Sequence, residues 1–218
     1  MTSYDQIIQP LRTFYDKDAA RRDKKTLPAW KQRERQYFLE RLQKENKKSL
    51  LEIGAGTGHD SLFFQQNGLT VISTDLTQAM VELCHNKGIE AYVMDFHHLA
   101  FPDNHFDAVF ALNCLLHVPK PDLPAVLVNI RRLLKPGGLF FMGVHGGIEM
   151  AGTWEEDLHE PKRFFALYTD EQILAVGRQV FQLERFQPVQ TSSEQTHFQS
   201  MIWRAPMQPD ESIIRNDR

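Results

Sequence analysis

The chain has 218 residues, of which 42% are hydrophobic and 24% are charged, an ordinary composition for a folded globular protein. This length suits one domain with a sizeable core. Two cysteines, Cys84 and Cys114, are too few for a disulfide framework. No uninterrupted apolar run reaches the roughly 20 residues that a membrane span needs. The start, MTSYDQIIQPLR, lacks the apolar stretch of a signal peptide, so we expect a cytoplasmic protein.

The net charge of −3 is unevenly spread along the chain. Residues 1–48 contain 13 Lys and Arg against 7 Asp and Glu, so the rest of the chain is acidic. A basic arm of this kind can contact nucleic acid or an acidic substrate. The alternative is a solvated helix face, because Trp30, Phe38 and Leu42 fall near one side of a helix that would pack on the domain.

The predicted elements then alternate between helices and short apolar strands. In chain order we expect helices over 4–20 and 28–45, a strand over 49–53, a helix over 57–67, a strand over 69–74, a helix over 78–87, strands over 91–94 and 106–112, a helix over 122–134 and a strand over 139–144. This alternation predicts βαβ units and a parallel sheet covered on both faces.

The pattern changes after the fifth strand. Residues 145–168 read as an irregular insertion on the substrate side, followed by a helix over 170–178. Two strand-like runs, 180–189 and 197–204, are too close for a crossover helix and predict an antiparallel hairpin. We therefore expect three parts: an N-terminal helical cap over 1–48, a main domain over 49–206 that includes the insertion, and a polar, frayed tail over 207–218.

The segment LEIGAGTG, residues 51–58, places three glycines between the first strand and a helix. Ligands of parallel sheets bind beyond the carboxyl ends of the strands, and glycine lets the backbone approach them closely. A dinucleotide-binding fingerprint beginning at Gly54 needs a third glycine at position 59, which is His59. A phosphate-binding P-loop is also absent, because no Gly-Lys-Ser/Thr follows. The loop therefore predicts a nucleotide-like ligand of another kind.

Two acids mark the ends of the next strands. Asp75 ends the second strand, where a carboxylate can accept from both hydroxyls of a ribose. Asp95 and Phe96 follow the third strand, where an acid can accept from an exocyclic amine and an aromatic ring can flank adenine. Asp75 has a second interpretation, as the N-cap of the following helix.

Five stretches in this order resemble the class I S-adenosylmethionine-dependent methyltransferases. They are EIGAGTG (52–58), VISTD (71–75), VMDF (93–96), FDAVFALNCLLH (106–117) and RRLLKPGG (131–138). The resemblance implies an α/β, Rossmann-like seven-stranded sheet of order 3-2-1-4-5-7-6, with strand seven antiparallel. It also implies S-adenosyl-L-methionine as the cofactor and S-adenosyl-L-homocysteine as the product.

The same resemblance implies a set of cofactor-binding residues. The glycine loop would hold the methionine part, with the other members covering the adenine, the ribose or the methionyl end: Tyr15, Glu52, Gly54, Ala55, Gly56, Thr57, Gly58, Asp75, Leu76, Met80, Asp95, Phe96 and Asn113. Two of these keep alternatives, since Glu52 can order the loop without touching ligand and Met80 can belong to the core.

His117 and His145 follow the fourth and fifth strands and are the candidate catalytic bases. The alternative is that each caps a backbone group or lines the pocket. No His/Cys/Asp cluster has the spacing of a zinc finger, so no metal is expected. Trp154 and Phe165 belong to an aromatic group in the insertion that either limits the acceptor or makes core contacts.

Position 113 onward reads Asn-Cys-Leu-Leu-His, without the prolines that accompany methylation of exocyclic nucleobase amines. We therefore expect methyl transfer by in-line displacement to a small molecule, at O, N, S or C, with neither a membrane nor a nucleic acid as partner. Two alternatives stay open. One is an RNA or protein methyltransferase that uses the basic arm, and the other is a cofactor-binding protein without catalysis.

Overall fold

The computed structural model describes residues 4–154, 157, 160–191, 193 and 195–207, without the side chain of Asp5. The helices are α1 (Tyr4–Asp23), α2 (Ala29–Lys44), α3 (His59–Gln66), α4 (Gln78–His85), α5 (Leu123–Leu133) and α6 (Asp170–Arg178), with a 3₁₀ turn at Leu115–His117. The strands are β1 (Ser49–Ile53), β2 (Thr70–Asp75), β3 (Glu90–Val93), β4 (Phe106–Leu112), β5 (Leu134–Gly146), β6 (Met150–Thr153), β7 (Phe164–Leu167), β8 (Gln182–Gln190) and β9 (His197–Arg204).

Seven strands form one sheet in the order β3-β2-β1-β4-β5-β9-β8. Strands β1 to β5 pair in parallel, and β9 runs antiparallel to both of its neighbours. Because β6 and β7 form a separate sheet, β8 and β9 are the sixth and seventh strands of the main one. The predicted order 3-2-1-4-5-7-6 and the antiparallel seventh strand are confirmed.

The structure differs from the predicted elements in the insertion. Residues 145–168 contain a β-hairpin, in which β6 and β7 pair from Met150 opposite Leu167 to Thr153 opposite Phe164. The prediction of an irregular stretch was wrong because the sequence Met-Ala-Gly-Thr of β6 is a weak strand signal, and its pairing depends on a partner more than ten residues away. This hairpin lies against the 3₁₀ turn and so reaches the carboxyl end of β4.

Two predicted boundaries also shift for local reasons. Helix α3 begins at His59, because Gly58 has a left-handed φ of +80° that a helix cannot contain. Strand β5 begins at Leu134, before the predicted start at 139, and its register to β4 shifts between Phe106 and Ala108.

The N-terminal helices occupy two different places. On α2, Phe38 and Leu42 are 0% exposed and belong to the core cluster under β4 and β5, as the sequence predicted for that face. Burial of each such side chain stabilises the fold by about 1.5–3 kcal/mol. The division into cap, main domain and tail stays a prediction, and residues 208–218 of the tail lie outside the described residues.

Helix α1 instead lies against α4 and is held there by three polar contacts. Arg12 Nε donates to the Leu76 carbonyl at 3.3 Å. The backbone N–H of the second residue of α4 donates to Asp16 Oδ1 at 3.3 Å. Near the C-terminal ends of both helices, Lys87 Nζ lies 2.6 Å from Asp23 Oδ1. Helix α1 therefore covers the carboxyl ends of β1 and β2.

In the described part of the chain, no helix combines the length and apolar character needed to cross a membrane.

Candidate active site

A cleft lies at the carboxyl ends of β1, β2 and β4, under α1, and we refer to it as the main cleft. It gathers all but two of the residues predicted for the site, namely Tyr15, Glu52, Gly54, Ala55, Gly56, Thr57, Asp75, Leu76, Met80, Asp95, Phe96, Asn113 and His117. The two exceptions are Gly58 and His145.

The glycine loop needs its glycines for different reasons. At Gly54, φ is +67° and an added Cβ would lie 2.4 Å from the Cβ of Cys114. At Gly58, an added Cβ would lie 2.9 Å from Cys84 Sγ, so this glycine packs the loop onto α4 without lining the cleft. Gly56 has open space where a side chain would be, on the cleft side. The loop is thus fixed by close packing at Gly54 and Gly58 and is accessible at its middle.

Asp75 connects the glycine loop to the start of α4. Its Oδ2 accepts from the Gly56 N–H at 2.8 Å, and its Oδ1 accepts from the N–H and hydroxyl of Thr77 at 3.1 and 3.3 Å. Burial raises the pKa of this carboxyl, and the donors partly oppose the rise. The N-cap of α4 is Thr77, whose hydroxyl accepts from the Met80 N–H, so Asp75 is not the cap.

Asn113 presents an unsatisfied acceptor to the cleft. Its backbone has φ of +57°, and its N–H donates to the Gly143 carbonyl at 2.7 Å. Its side-chain Oδ1 is buried and has no hydrogen-bond partner among the described residues. A buried acceptor left unpaired costs about 1–3 kcal/mol, so this oxygen favours a ligand that donates to it.

Asp95 and Phe96 close the side of the cleft nearest β3. Asp95 Oδ1 accepts from the N–H groups of His97 and His98 at 2.8 and 3.0 Å, which fixes the turn after β3. The ring of Tyr4, from α1, lies 6.4 Å from the Phe96 ring. Aromatic groups from α1 and from the β3 turn therefore face the same part of the cleft.

Glu52 lies beneath the loop in a buried polar network. It accepts a hydrogen bond from Ser61, whose hydroxyl also lies 2.7 Å from the Ser73 hydroxyl. Burial, followed by the nearby charge of Asp60, raises the pKa of Glu52 well above its ordinary value. Asp60 is itself held by Arg35 Nη1 at 2.8 Å. This network supports the interpretation that Glu52 orders the loop.

His117 is engaged on both ring nitrogens. Its Nδ1 lies 2.7 Å from the Phe164 carbonyl of β7 and must carry the hydrogen, because a carbonyl only accepts. Its Nε2 therefore accepts from the Tyr15 hydroxyl at 2.7 Å. Burial lowers the pKa of His117 to about 4, so the ring is neutral at physiological pH. With Tyr15 in this position, the His117 lone pair is occupied and is not available to an acceptor.

His145 lies outside the main cleft, in a second cavity of about 840 Å³ that we call the aromatic cavity. It lies between the start of α2, the end of β5, the β6–β7 hairpin and the β8–β9 turn, and is lined by Pro28, Trp30, Lys31, Leu116, His145, Trp154, Phe165, Leu167, Gln190, Thr191, Ser193 and Thr196. Burial, followed by the charge of Lys31, lowers the pKa of His145 to about 4. Neither ring nitrogen has a hydrogen-bond partner in the described part of the chain.

The insertion contributes walls to this region. The Trp154 and Phe165 rings meet edge to face at 5.9 Å. Arg163 makes a bidentate ion pair with Asp157, at 2.9 and 3.0 Å, which closes the segment between β6 and β7. Glu155 and Glu156, the two acids that follow Trp154 in the sequence, lie outside the described residues.

Several polar residues that α1 and α2 bring to the site were not predicted from the sequence. Arg22 and Lys31 line the main cleft, and Lys31 borders the aromatic cavity as well. His59, whose role the sequence left open, has Nε2 3.1 Å from the Asp23 carbonyl and so ties α3 to the end of α1. No local motif marks these residues, because their positions depend on how α1 and α2 pack on the sheet. Among the described residues, no group of three or more His, Cys, Asp or Glu is arranged to hold a metal ion.

Comparison with known proteins gives the following matches. Residues 51–142 match a family model described as a methyltransferase domain. The sterol 24-C-methyltransferase erg6 of Aspergillus fumigatus is 44% identical over 69 residues, which are 32% of this chain and 17% of that protein. The malonyl-[acyl-carrier protein] O-methyltransferase of Hamiltonella defensa is 32% identical over 131 residues, which are 57% of this chain and 50% of that protein. The chain thus spans half or less of the length of these curated relatives.

Among solved structures, a Burkholderia thailandensis 1,6-didemethyltoxoflavin-N1-methyltransferase with bound 1,6-didemethyltoxoflavin and S-adenosylhomocysteine superposes with a TM-score of 0.74. The similarity covers 94% of this chain and 92% of that one, at 19% sequence identity. At this identity, the likeness establishes a shared fold.

Proposed function

We propose that the protein transfers the methyl group of S-adenosylmethionine to a small molecule. Residues 51–142 match the methyltransferase-domain family, and the sheet has the class I fold. The observation that carries the proposal is the arrangement of Asp75, Gly56 and Asn113. A carboxylate, an open glycine backbone and an amide oxygen without a partner among the described residues belong to residues that line one cleft at the carboxyl ends of the strands.

The residues of the main cleft fit the cofactor of this family. Asp75 would accept from the ribose hydroxyls, and Asn113 Oδ1 would accept from the amino group of the methionine part. Leu76 and Met80 would cover the adenine, with Asp95 close to its amine. When bound, the cofactor supplies a methyl group on a sulfonium, which is already an activated electrophile.

The protein's own contribution is to orient the acceptor and to exclude water. Holding two reactants at near-attack distance can lower the barrier by roughly 7–11 kcal/mol.

We place the acceptor in the aromatic cavity, whose volume of about 840 Å³ falls within the range of small-molecule sites. His145 is the neutral imidazole in that cavity, and its ring nitrogens have no partner among the described residues. This supports His145 over His117 as the group that accepts a proton when the acceptor has one to lose.

The way in which the basic N-terminal arm packs on the domain supports a small-molecule acceptor over RNA or protein. Phe38 and Leu42 attach α2 to the core, and two basic side chains of this helix, Arg35 and Arg41, are held in ion pairs. Arg35 pairs with Asp60, and Arg41 Nη2 lies 2.8 Å from Glu184 Oε2. These two pairs attach the basic arm to the body of the domain, which supports the interpretation that the arm packs on the domain.

The test has two stages. Calorimetry with S-adenosylhomocysteine should show saturable binding, and its absence would refute the proposal. Radioactive methyl transfer from S-adenosylmethionine is then compared between a fractionated small-metabolite extract, total RNA and a protein extract. Label in the small-molecule fraction is expected. Label only in RNA or protein would favour the basic-arm alternative, and tight binding without any transfer would favour a non-catalytic protein.

A further inference from the structure

Lys31 occupies a distinctive position in the structure. It lies in the first turn of α2, beside Trp30, and it borders both the main cleft and the aromatic cavity. Its side chain is half-buried, and among the described residues its ammonium has no hydrogen-bond or ion-pair partner and lies 5.4 Å from the centre of the Trp30 ring. Asp60 acts on it electrostatically, but that carboxylate is already paired with Arg35 at 2.8 Å.

The two cavities that Lys31 borders differ in charge. The main cleft contains the carboxyl groups of Glu52, Asp60, Asp75 and Asp95. The described residues that line the aromatic cavity include no Asp or Glu, and Lys31 is the charged side chain among them. Among these described residues an acidic acceptor would meet no carboxylate, whereas a cationic acceptor would meet the Lys31 ammonium.

The surroundings make this ammonium costly to leave unpaired. Burial lowers the pKa of Lys31, and the Lys31 charge contributes to lowering the pKa of His145. A partly desolvated cation without a counter-ion is unfavourable, and an anion held against it in an apolar cavity is attracted more strongly than in water. The walls from Trp30, Trp154 and Phe165 provide flat apolar surfaces for the rest of such a ligand.

We propose that Lys31 is a specificity-determining residue that binds an anionic oxygen of the methyl acceptor, so that the acceptor class is a flat aromatic or conjugated organic acid. This inference rests on the proposed function, because it assigns the acceptor of the same reaction. The aromatic walls bind the ring system, and Lys31, at the border of the two cavities, holds the charged group near the cofactor.

The experiment uses two probes of nearly the same shape, the anion 2-naphthoate and the neutral 2-naphthamide, with the full chain saturated with S-adenosylhomocysteine. Binding is followed by quenching of tryptophan fluorescence. The variants are Lys31→Met, Lys31→Arg and, as a matched control, Lys44→Met, which removes an exposed lysine at the other end of α2. We expect the wild type and Lys44→Met to bind naphthoate at least about tenfold more tightly than naphthamide. Lys31→Met should bring the ratio close to one, and Lys31→Arg should preserve most of it.

The affinity for S-adenosylhomocysteine separates this inference from the proposed function. It should change by less than about twofold in Lys31→Met. If that variant instead loses tenfold or more in S-adenosylhomocysteine affinity and keeps the probe ratio, Lys31 belongs to the cofactor site and the inference is overturned. Equal binding of the two probes to the wild type, or binding of neither, overturns it as well. A wild type that does not bind S-adenosylhomocysteine contradicts the proposed function instead.

Discussion

Replacement of Asp75 by Asn should weaken cofactor binding while leaving the protein folded. The substitution preserves the shape of the side chain but removes its charge and replaces one oxygen by an amide nitrogen, which cannot accept a hydrogen bond. In the structure one carboxylate oxygen serves Gly56 and the other serves Thr77. Either orientation of the amide therefore leaves one of these donors facing an NH₂ group.

The expected loss follows from the bonds at stake. A hydrogen bond to a charged group contributes about 1.5–3 kcal/mol, and tenfold in affinity corresponds to about 1.4 kcal/mol. Loss of one charge-assisted bond to a ribose hydroxyl thus weakens binding by about 10- to 150-fold. Disorder of the glycine loop, following loss of the Gly56 contact, would add to this loss.

Isothermal titration with S-adenosylhomocysteine measures the affinity, with Asp107→Asn as the control. Asp107 also binds two backbone N–H groups through its carboxylate, those of Lys48 and Ser49, but it lies at the amino ends of β1 and β4, away from the main cleft. The control should lose stability in urea and keep its affinity. An unchanged affinity in folded Asp75→Asn would show that this carboxylate does not hold the cofactor.

Two predictions concern stability in urea. Gly54→Ala should lower the free energy of unfolding by at least about 1–3 kcal/mol more than Gly56→Ala does. Both glycines have positive φ, but only at Gly54 does the new Cβ overlap Cys114. Equal losses in the two variants would contradict this packing. The hydrogen bond from Arg204 holds the pKa of Glu45 at about 2, below its ordinary 4.5, so the stability this carboxylate contributes is present above pH 4.5 and lost as the pH falls towards 2. Glu45→Gln should therefore be less stable than wild type by about 1–3 kcal/mol at neutral pH and approach it near pH 2, and a constant difference would refute the linkage.

Much of the main sheet could be predicted because its signals are local. The alternation of strands and helices predicts a parallel sheet. The glycine pattern and Asp75 mark the carboxyl ends of the strands, where ligands of parallel sheets bind. The β6–β7 hairpin could not be predicted in this way, since the pairing of Gly152 with Phe165 joins distant segments. Lys31 was missed for a similar reason. Its helix was predicted correctly, but the face that α2 turns towards the sheet depends on tertiary packing.

The position of α1 has a consequence for ligand exchange in the main cleft. Tyr4, Tyr15 and Arg22 line the cleft from this helix, so movement of α1 away from α4 would open one side of the cleft. Two long hydrogen bonds and the ion pair of Asp23 with Lys87 restrain that movement. If the cleft binds the cofactor as proposed, this movement would help to set the rate of ligand exchange, a step that limits turnover in many enzymes.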